Sequence, residues 1–233
     1  IPILALGPLL IKTREAQIPV LGGDKLGPRP VDMHLESLRM MGATIRNDDH
    51  HFFAEAKDGL HGAIIQLPYP SVMATENIII AATLAKGRTE IHNAAKEPEI
   101  LDLVNLLQKM GAIIDIAAHR KIYIDGVKKL RGATHRILPD RNEAVSFGVL
   151  AIASGGKIFV REARQEHLLT FLSAVRRIGG DYEVHNDGIS FWRSDNLKAT
   201  EIETDTHPGF MTDWQQPFAV LLTQARGASV IHE

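Results

Sequence analysis

The feature that most constrains this chain is that it repeats. Gly42-Ala43, Gly111-Ala112 and Gly179-Gly180 each close a helical pattern and open a short apolar strand pattern, at intervals of 69 and 68 residues. Residues 81–87 followed by Thr89-Glu90-Ile91 are matched by residues 150–156 followed by Ile158-Phe159-Val160. They are matched again by residues 221–227 followed by Val230-Ile231. A looser first copy has residues 3–11 as its helix and 17–21 as its strand. Each unit reads helix, Gly stop, strand, helix, Gly stop, strand, turn, strand. The glycines stand where a helix needs a left-handed residue to end. Leu103, Leu106, Leu107 and Met110 give the second helix of one copy a single apolar stripe, as Leu168, Leu172, Val175 and Ile178 do in the next. Final strands follow at 51–54, 121–124 and 188–192. One such unit cannot bury its apolar face alone, so the copies must stack around a shared core. The pattern predicts an α/β protein of repeated α-β-α-β-β units of about 69 residues.

Composition narrows the function classes. With 233 residues, 45% of them hydrophobic, the chain builds a substantial core as one domain or two smaller ones. A net charge of −2 supplies no positive field to gather nucleic acid. The absence of Cys excludes disulfides and thiolate metal sites and suits the cytoplasm. Eleven His residues are dispersed without ligand spacing, so neither a metal nor another cofactor is expected. No apolar run of spanning length and no signal pattern is visible, so no membrane is expected. The chain opens at Ile1 inside an apolar run, which reads as a trimmed N-terminus.

The chemistry-bearing stretch is residues 20–34. Gly22, Gly23, Gly27, Pro28 and Pro30 surround Asp24, Lys25, Arg29 and His34, just before the helical run of Leu35, Leu38 and Met41. Glycines let backbone approach a ligand closely, and prolines stiffen the exit. Lys25 and Arg29 suit a phosphate or carboxylate, Arg29 through its planar fork. Asp32 is placed to cap the following helix, and Thr212 or Asp213 to cap the run to Leu222. A plain surface loop accounts for the same turn residues.

Five segments, in order, carry a resemblance. Besides Arg29-Pro30-Val31-Asp32 and its loop, they are Pro70-Ser71-Val72-Met73-Ala74-Thr75-Glu76-Asn77, Asn93-Ala94-Ala95-Lys96-Glu97-Pro98-Glu99-Ile100, Leu138-Pro139-Asp140-Arg141 and His207-Pro208-Gly209-Phe210-Met211-Thr212-Asp213. Together they resemble the UDP-N-acetylglucosamine 1-carboxyvinyltransferases, the enolpyruvyl transferases that open bacterial peptidoglycan synthesis. The resemblance implies units packed three at a time into two domains, described as inside-out α/β barrels, with the active site in the cleft between them. Residues 1–136 would then be part of the loop-bearing, nucleotide-sugar domain and 137–233 part of the second. It also implies that the family's N- and C-terminal sections are missing here, so that this chain alone is expected to be inactive.

The implied reaction moves the enolpyruvyl group of phosphoenolpyruvate onto the 3-hydroxyl of UDP-N-acetylglucosamine and releases phosphate. Asp24 stands where the family often has a Cys general acid, a role a carboxyl fills only when held protonated by burial or a neighbouring anion. Asp213 matches the carboxylate that takes the sugar hydroxyl's proton, and Arg29 the arginine that grips phosphoenolpyruvate. Pro30, Val31, Asp32 and Met33 match the uridine-lining segment, and Ser71, Val72 and Met73 the segment facing the diphosphate. His34, Glu97 and Arg141 match polar positions bordering the cleft, with His207 as a positioning residue. Met73 replaces the family's usual Gly, and Tyr69 replaces a lysine. Without a loop thiol, resistance to fosfomycin is expected. Cell-wall synthesis, cell shape and cell division would be the cellular setting. Two alternatives stand beside this reading. A 5-enolpyruvylshikimate-3-phosphate synthase-like enzyme lacks support from its usual Leu-Pro-Gly-Ser-Lys opening. A non-catalytic ligand-binding fragment of the same fold would survive loss of either Asp.

Overall fold

The glycine stops set the layout. In the computed structural model, which describes residues 2–20 and 31–233, Gly42, Gly111 and Gly179 lie at φ 98°, 101° and 100°. A Cβ disfavours that left-handed conformation, so glycine ends the helix there. The N–H of Ala43 returns to the Leu38 carbonyl and that of Ala112 to Leu107, both at 2.9 Å, so two copies close their helices in the same way.

The chain divides into two units, Ile1–Arg136 and Ile137–Glu233. The first unit opens with a 3-10 turn (Pro2–Ala5), α1 (Leu6–Thr13), β1 (Glu15–Pro19), α2 (Asp32–Met40), β2 (Thr44–Asn47) and β3 (His51–Glu55). It continues with β4 (Ile64–Gln66), α3 (Val72–Ala82), β5 (Arg88–His92), α4 (Pro98–Lys109), β6 (Ile113–Ala117) and β7 (Lys121–Asp125). The second unit holds α5 (Arg141–Ser154), β8 (Lys157–Arg161), α6 (Leu169–Ile178), β9 (Gly180–His185) and β10 (Gly188–Arg193). It ends with β11 (Glu201–Glu203), α7 (Gln215–Leu222) and β12 (Val230–His232). The first strand starts two residues earlier than its pattern suggests, and Leu21 lies outside the described residues.

Sheet order repeats with the sequence. β1-β3-β2 and β8-β10-β9 are antiparallel with the last strand in the centre, and β5-β7-β6 follows the same order. The repeat unit itself needs one correction. The second and fourth copies open with a strand, β4 pairing parallel with β5 and β11 parallel with β12. Three residues are too few to display alternation, and a parallel partner is reached only across a helix, so this strand leaves no local trace. Among the described residues the strands form four separate sheets and close no barrel.

In the first unit α3 is the central helix. Ala74, Thr75, Asn77, Ile78, Ile79, Ala81 and Ala82 are all buried, with α1, α2, α4, β5 and β7 packed against it. A helix covered on nearly every side is a core helix. α1 crosses it at Gly7, where a Cβ would lie 3.0 Å from the Ala81 Cβ. The second unit's core is aromatic. The Phe171 ring lies 6.0 Å from Phe191, 6.0 Å from Trp214 and 6.2 Å from Phe218, in tilted or edge-on pairs.

Candidate functional site

Every described candidate residue except His207, which lies in the turn after β11, sits at the N-terminal end of a helix or 3-10 turn. Val31 caps α2, and Asp32, Met33 and His34 form its first turn. Ser71 caps α3, ahead of Val72 and Met73. Glu97 occupies the cap position of α4, Arg141 opens α5, and Asp213 lies in the 3-10 turn Thr212–Trp214 that leads into α7. Such ends carry unpaired N–H groups and a partial positive charge, which suits phosphate and carboxylate ligands. The two capping expectations fail in detail. Asp32 is already inside α2, whose cap residue Val31 has no side-chain acceptor. No side chain caps α7 either.

In the first unit, three of these ends are tied to one side. The α3 amide of Asn77 reaches the His34 ring in the first turn of α2, Nδ2 to Nδ1 at 3.1 Å. Thr75 Oγ1, one turn into α3, accepts from the Ala95 N–H just before α4 at 3.0 Å and donates to the Ser71 carbonyl at 2.8 Å. Ser71 Oγ accepts from the Ala74 N–H, completing the cap. His34 is 6% exposed, and burial pushes its pKa below the usual imidazole range. Glu97 is equally enclosed, its Oε2 accepting from the Lys96 N–H at 2.8 Å. Burial, and then the charges of Glu99 and Glu97, raise the pKa of Glu76. The start of α4 is therefore acidic, as is that of α2 through Asp32, whereas α3 has no acid in its first turn. A cavity of about 360 Å³ opens between α2 and the segment after β4, lined by Asp32, Met33, Ser37, Ile65, Leu67 and Pro68 among others.

The second unit holds a separate cluster. Arg141 is 2% exposed. Its guanidinium lies over the Trp214 ring, 5.7 Å from the centroid, and its Nη1 donates to His207 Nδ1 at 3.4 Å. Asp140 caps α5 by accepting from the Asn142 and Glu143 N–H groups. Asn142 then faces both neighbours of the 3-10 turn. Its Oδ1 accepts from Trp214 Nε1 at 2.9 Å, and its Nδ2 donates to Asp213 Oδ2 at 3.3 Å. Asp213 itself is exposed. Glu233 accepts from Thr212 Oγ1 at 3.0 Å, from Thr204 Oγ1 at 3.1 Å and from Gln215.

The structure thus ties His34 to Asn77 in the middle of α3, sets Asp32 and Met33 beside Leu67 and Pro68, and groups Arg141 and His207 with Asp213. Asp24, Arg29 and Pro30 lie outside the described residues. Asn77, Asn142 and Trp214 were missed by motif reasoning about single positions. Asn142 and Trp214 directly follow Arg141 and Asp213, which was the available signal. Among the described residues no group of three His, Cys, Asp or Glu side chains converges as metal ligands, and no helix is long and apolar enough to cross a membrane.

Comparison with known proteins follows the same lines. The UDP-N-acetylglucosamine 1-carboxyvinyltransferase of Chlamydia pneumoniae is 53% identical over all of this chain and 51% of its own length. That of Protochlamydia amoebophila is 48% identical, again over all of this chain and 51% of its own length. For Granulibacter bethesdensis the values are 43%, 99% and 55%. The chain therefore spans about half the length of the curated relatives it matches. Among solved structures, the enolpyruvyl transferase NikO from Streptomyces tendae matches 98% of the chain and 55% of its own with a TM-score of 0.82. EPSP synthase from Acinetobacter baumannii covers 98% and 54% with 0.65. Both are 20% identical and speak for the fold alone, which is that of the enolpyruvyl transferases. The family model described as EPSP synthase (3-phosphoshikimate 1-carboxyvinyltransferase) matches residues 2–233. The chain belongs to this 1-carboxyvinyl (enolpyruvyl) transferase family.

Proposed function

We propose that the chain is part of an enzyme that transfers the enolpyruvyl group of phosphoenolpyruvate to the 3-hydroxyl of UDP-N-acetylglucosamine, the first committed step of peptidoglycan synthesis. The observation that carries this reading is identity of 53% across the entire chain to a transferase named for that nucleotide sugar. Identity to the EPSP synthase structure is only 20%, so a shikimate-phosphate substrate has less support.

The roles follow from the chemistry. The sugar oxygen attacks the central carbon of phosphoenolpyruvate while the methylene carbon takes a proton. The tetrahedral adduct then gives that proton back as the C–O bond to phosphate breaks. Asp24 is assigned to the carbon-side proton and Asp213 to the hydroxyl proton. Arg29 grips phosphoenolpyruvate through two parallel N–H donors. Pro30, Val31, Asp32 and Met33 line the nucleoside, and the cavity beside Asp32 and Met33 is of a size for small ligands. The segment Ser71, Val72 and Met73 faces the diphosphate, with the Val72 and Met73 N–H groups at the helix start as donors. His34, Glu97 and Arg141 are assigned as polar residues near the substrates. Residues 1–136 form the nucleotide-sugar domain and 137–233 the second domain of a cytoplasmic enzyme serving cell-wall synthesis and division.

The test is phosphate release from phosphoenolpyruvate by the protein carrying this chain, with and without UDP-N-acetylglucosamine. Release should require the nucleotide sugar and fall by about 10²-fold or more in Asp213→Asn. Release driven by shikimate 3-phosphate instead, or full activity in the variant, overturns the reading. Asp24 is a poor nucleophile toward an epoxide, so fosfomycin should leave release intact. A covalent adduct on Asp24 by intact mass would refute that expectation.

A further inference from the structure

One buried polar atom in the first unit stands without a partner beside a candidate substrate-facing side chain. Asn77 is 1% exposed. Its Nδ2 donates to the Ile3 carbonyl at 3.3 Å and to His34 Nδ1 at 3.1 Å. Its Oδ1 is buried with no hydrogen-bond partner, on the side of Gly7, where an added Cβ would come within 3.1 Å of it. Leaving such an oxygen bare is costly, so it calls for a reason.

The Ile3 carbonyl supplies one. A carbonyl only accepts, so turning the amide over would set two oxygens against each other. Asn77 must therefore present nitrogen to Ile3. Its second N–H then faces His34 Nδ1, which has to be the lone-pair nitrogen of the ring. The proton of the neutral imidazole belongs on Nε2. Protonating Nδ1 would oppose two donors, and burial already disfavours the imidazolium. Nε2 has no hydrogen-bond partner among the described residues. A ring in the first turn of α2 thus offers one uncharged donor of defined identity.

We propose that Asn77 is a positioning residue that holds His34 as the Nε2-protonated donor to an acceptor atom of the anionic nucleotide substrate. The substrate half rests on the function proposed above; the tautomer half does not. The first experiment is two-bond proton–nitrogen correlation NMR of the protein with 15N-labelled histidine, using His34→Gln to assign the signal. His34 should show protonated Nε2 and bare Nδ1 in the wild type, and Asn77→Asp should move a proton onto Nδ1. A protonated Nδ1 in the wild type overturns the proposal without relying on any variant. The second is the affinity for UDP-N-acetylglucosamine. Asn77→Ala, folded by circular dichroism, should weaken it about tenfold, the worth of one neutral hydrogen bond, with kcat changed less than KM. Unchanged affinity in folded Asn77→Ala overturns the substrate half. Failure of the wild type to bind the nucleotide sugar removes the functional reading and that half with it, while the tautomer result is decided separately.

Discussion

Replacing Trp214 with Phe tests whether the second unit's core and its candidate carboxylate are one structure. Trp214 is 1% exposed. It packs edge-on against Phe210 at 5.5 Å and Phe171 at 6.0 Å, and donates to Asn142, which in turn donates to Asp213. Phenylalanine removes roughly three buried heavy atoms, about 2 kcal/mol of apolar burial. It also removes a hydrogen bond worth about 1 kcal/mol, because Asn142 is only partly enclosed. The expected loss is about 3 kcal/mol. With a urea m-value of about 1–1.5 kcal/mol/M for a unit of this size, the midpoint falls by about 2 M. Both tryptophans of the chain, Trp192 and Trp214, lie in this unit, so the fluorescence of Trp192 alone reports its unfolding in the variant. Phosphate release should fall about tenfold, because Asn142 is freed to rotate away from Asp213. A midpoint shift below about 0.5 M would refute the packing argument. A full shift with unchanged kcat would keep the packing and sink the tether to Asp213.

Two further outcomes concern the first unit. Gly7→Ala gains about 1 kcal/mol of helix propensity. It also sets a methyl 3.0 Å from the Ala81 Cβ and 3.1 Å from Asn77 Oδ1, so overpacking should win and leave a net loss of about 1–2 kcal/mol by urea denaturation followed at 222 nm; a more stable variant would contradict the close crossing of α1 and α3. Glu76→Gln probes the raised pKa of Glu76. A raised folded pKa contributes stability that is full below the unfolded value and lost as pH rises through the folded one, so the variant should be the more stable at pH 7 and lose its advantage below about pH 4. Equal pH dependence in both proteins would show that neither burial nor the acidic start of α4 holds the Glu76 pKa up.

Much of the architecture was legible because it is local. The left-handed glycines, the Leu168, Leu172, Val175 and Ile178 stripe, and the strands at 51–54, 121–124 and 188–192 each depend on neighbours within a turn or a hairpin. The repeat multiplied those signals, and five ordered motifs pointed to the family whose model spans residues 2–233. The apolar stripe of α4 was read less well. Ile100 and Val104 are buried with Leu107, whereas Leu103 and Leu106 are only partly covered, since the packing of neighbours sets which side of a broad stripe faces inward.

What the tertiary structure alone decided is everything that joins residues far apart in sequence. β4 and β11 exist because β5 and β12 lie beside them, a pairing no three-residue segment can announce. Arg141 is placed in sequence only at a polar motif position, whereas the structure buries it against Trp214, and His34 is held by an asparagine 43 positions away. By itself the sequence determined the order of helices and strands, the stops between them and the kinship. Their contacts depend on burial and on donors meeting acceptors across the core, and those terms take values only once the chain has packed.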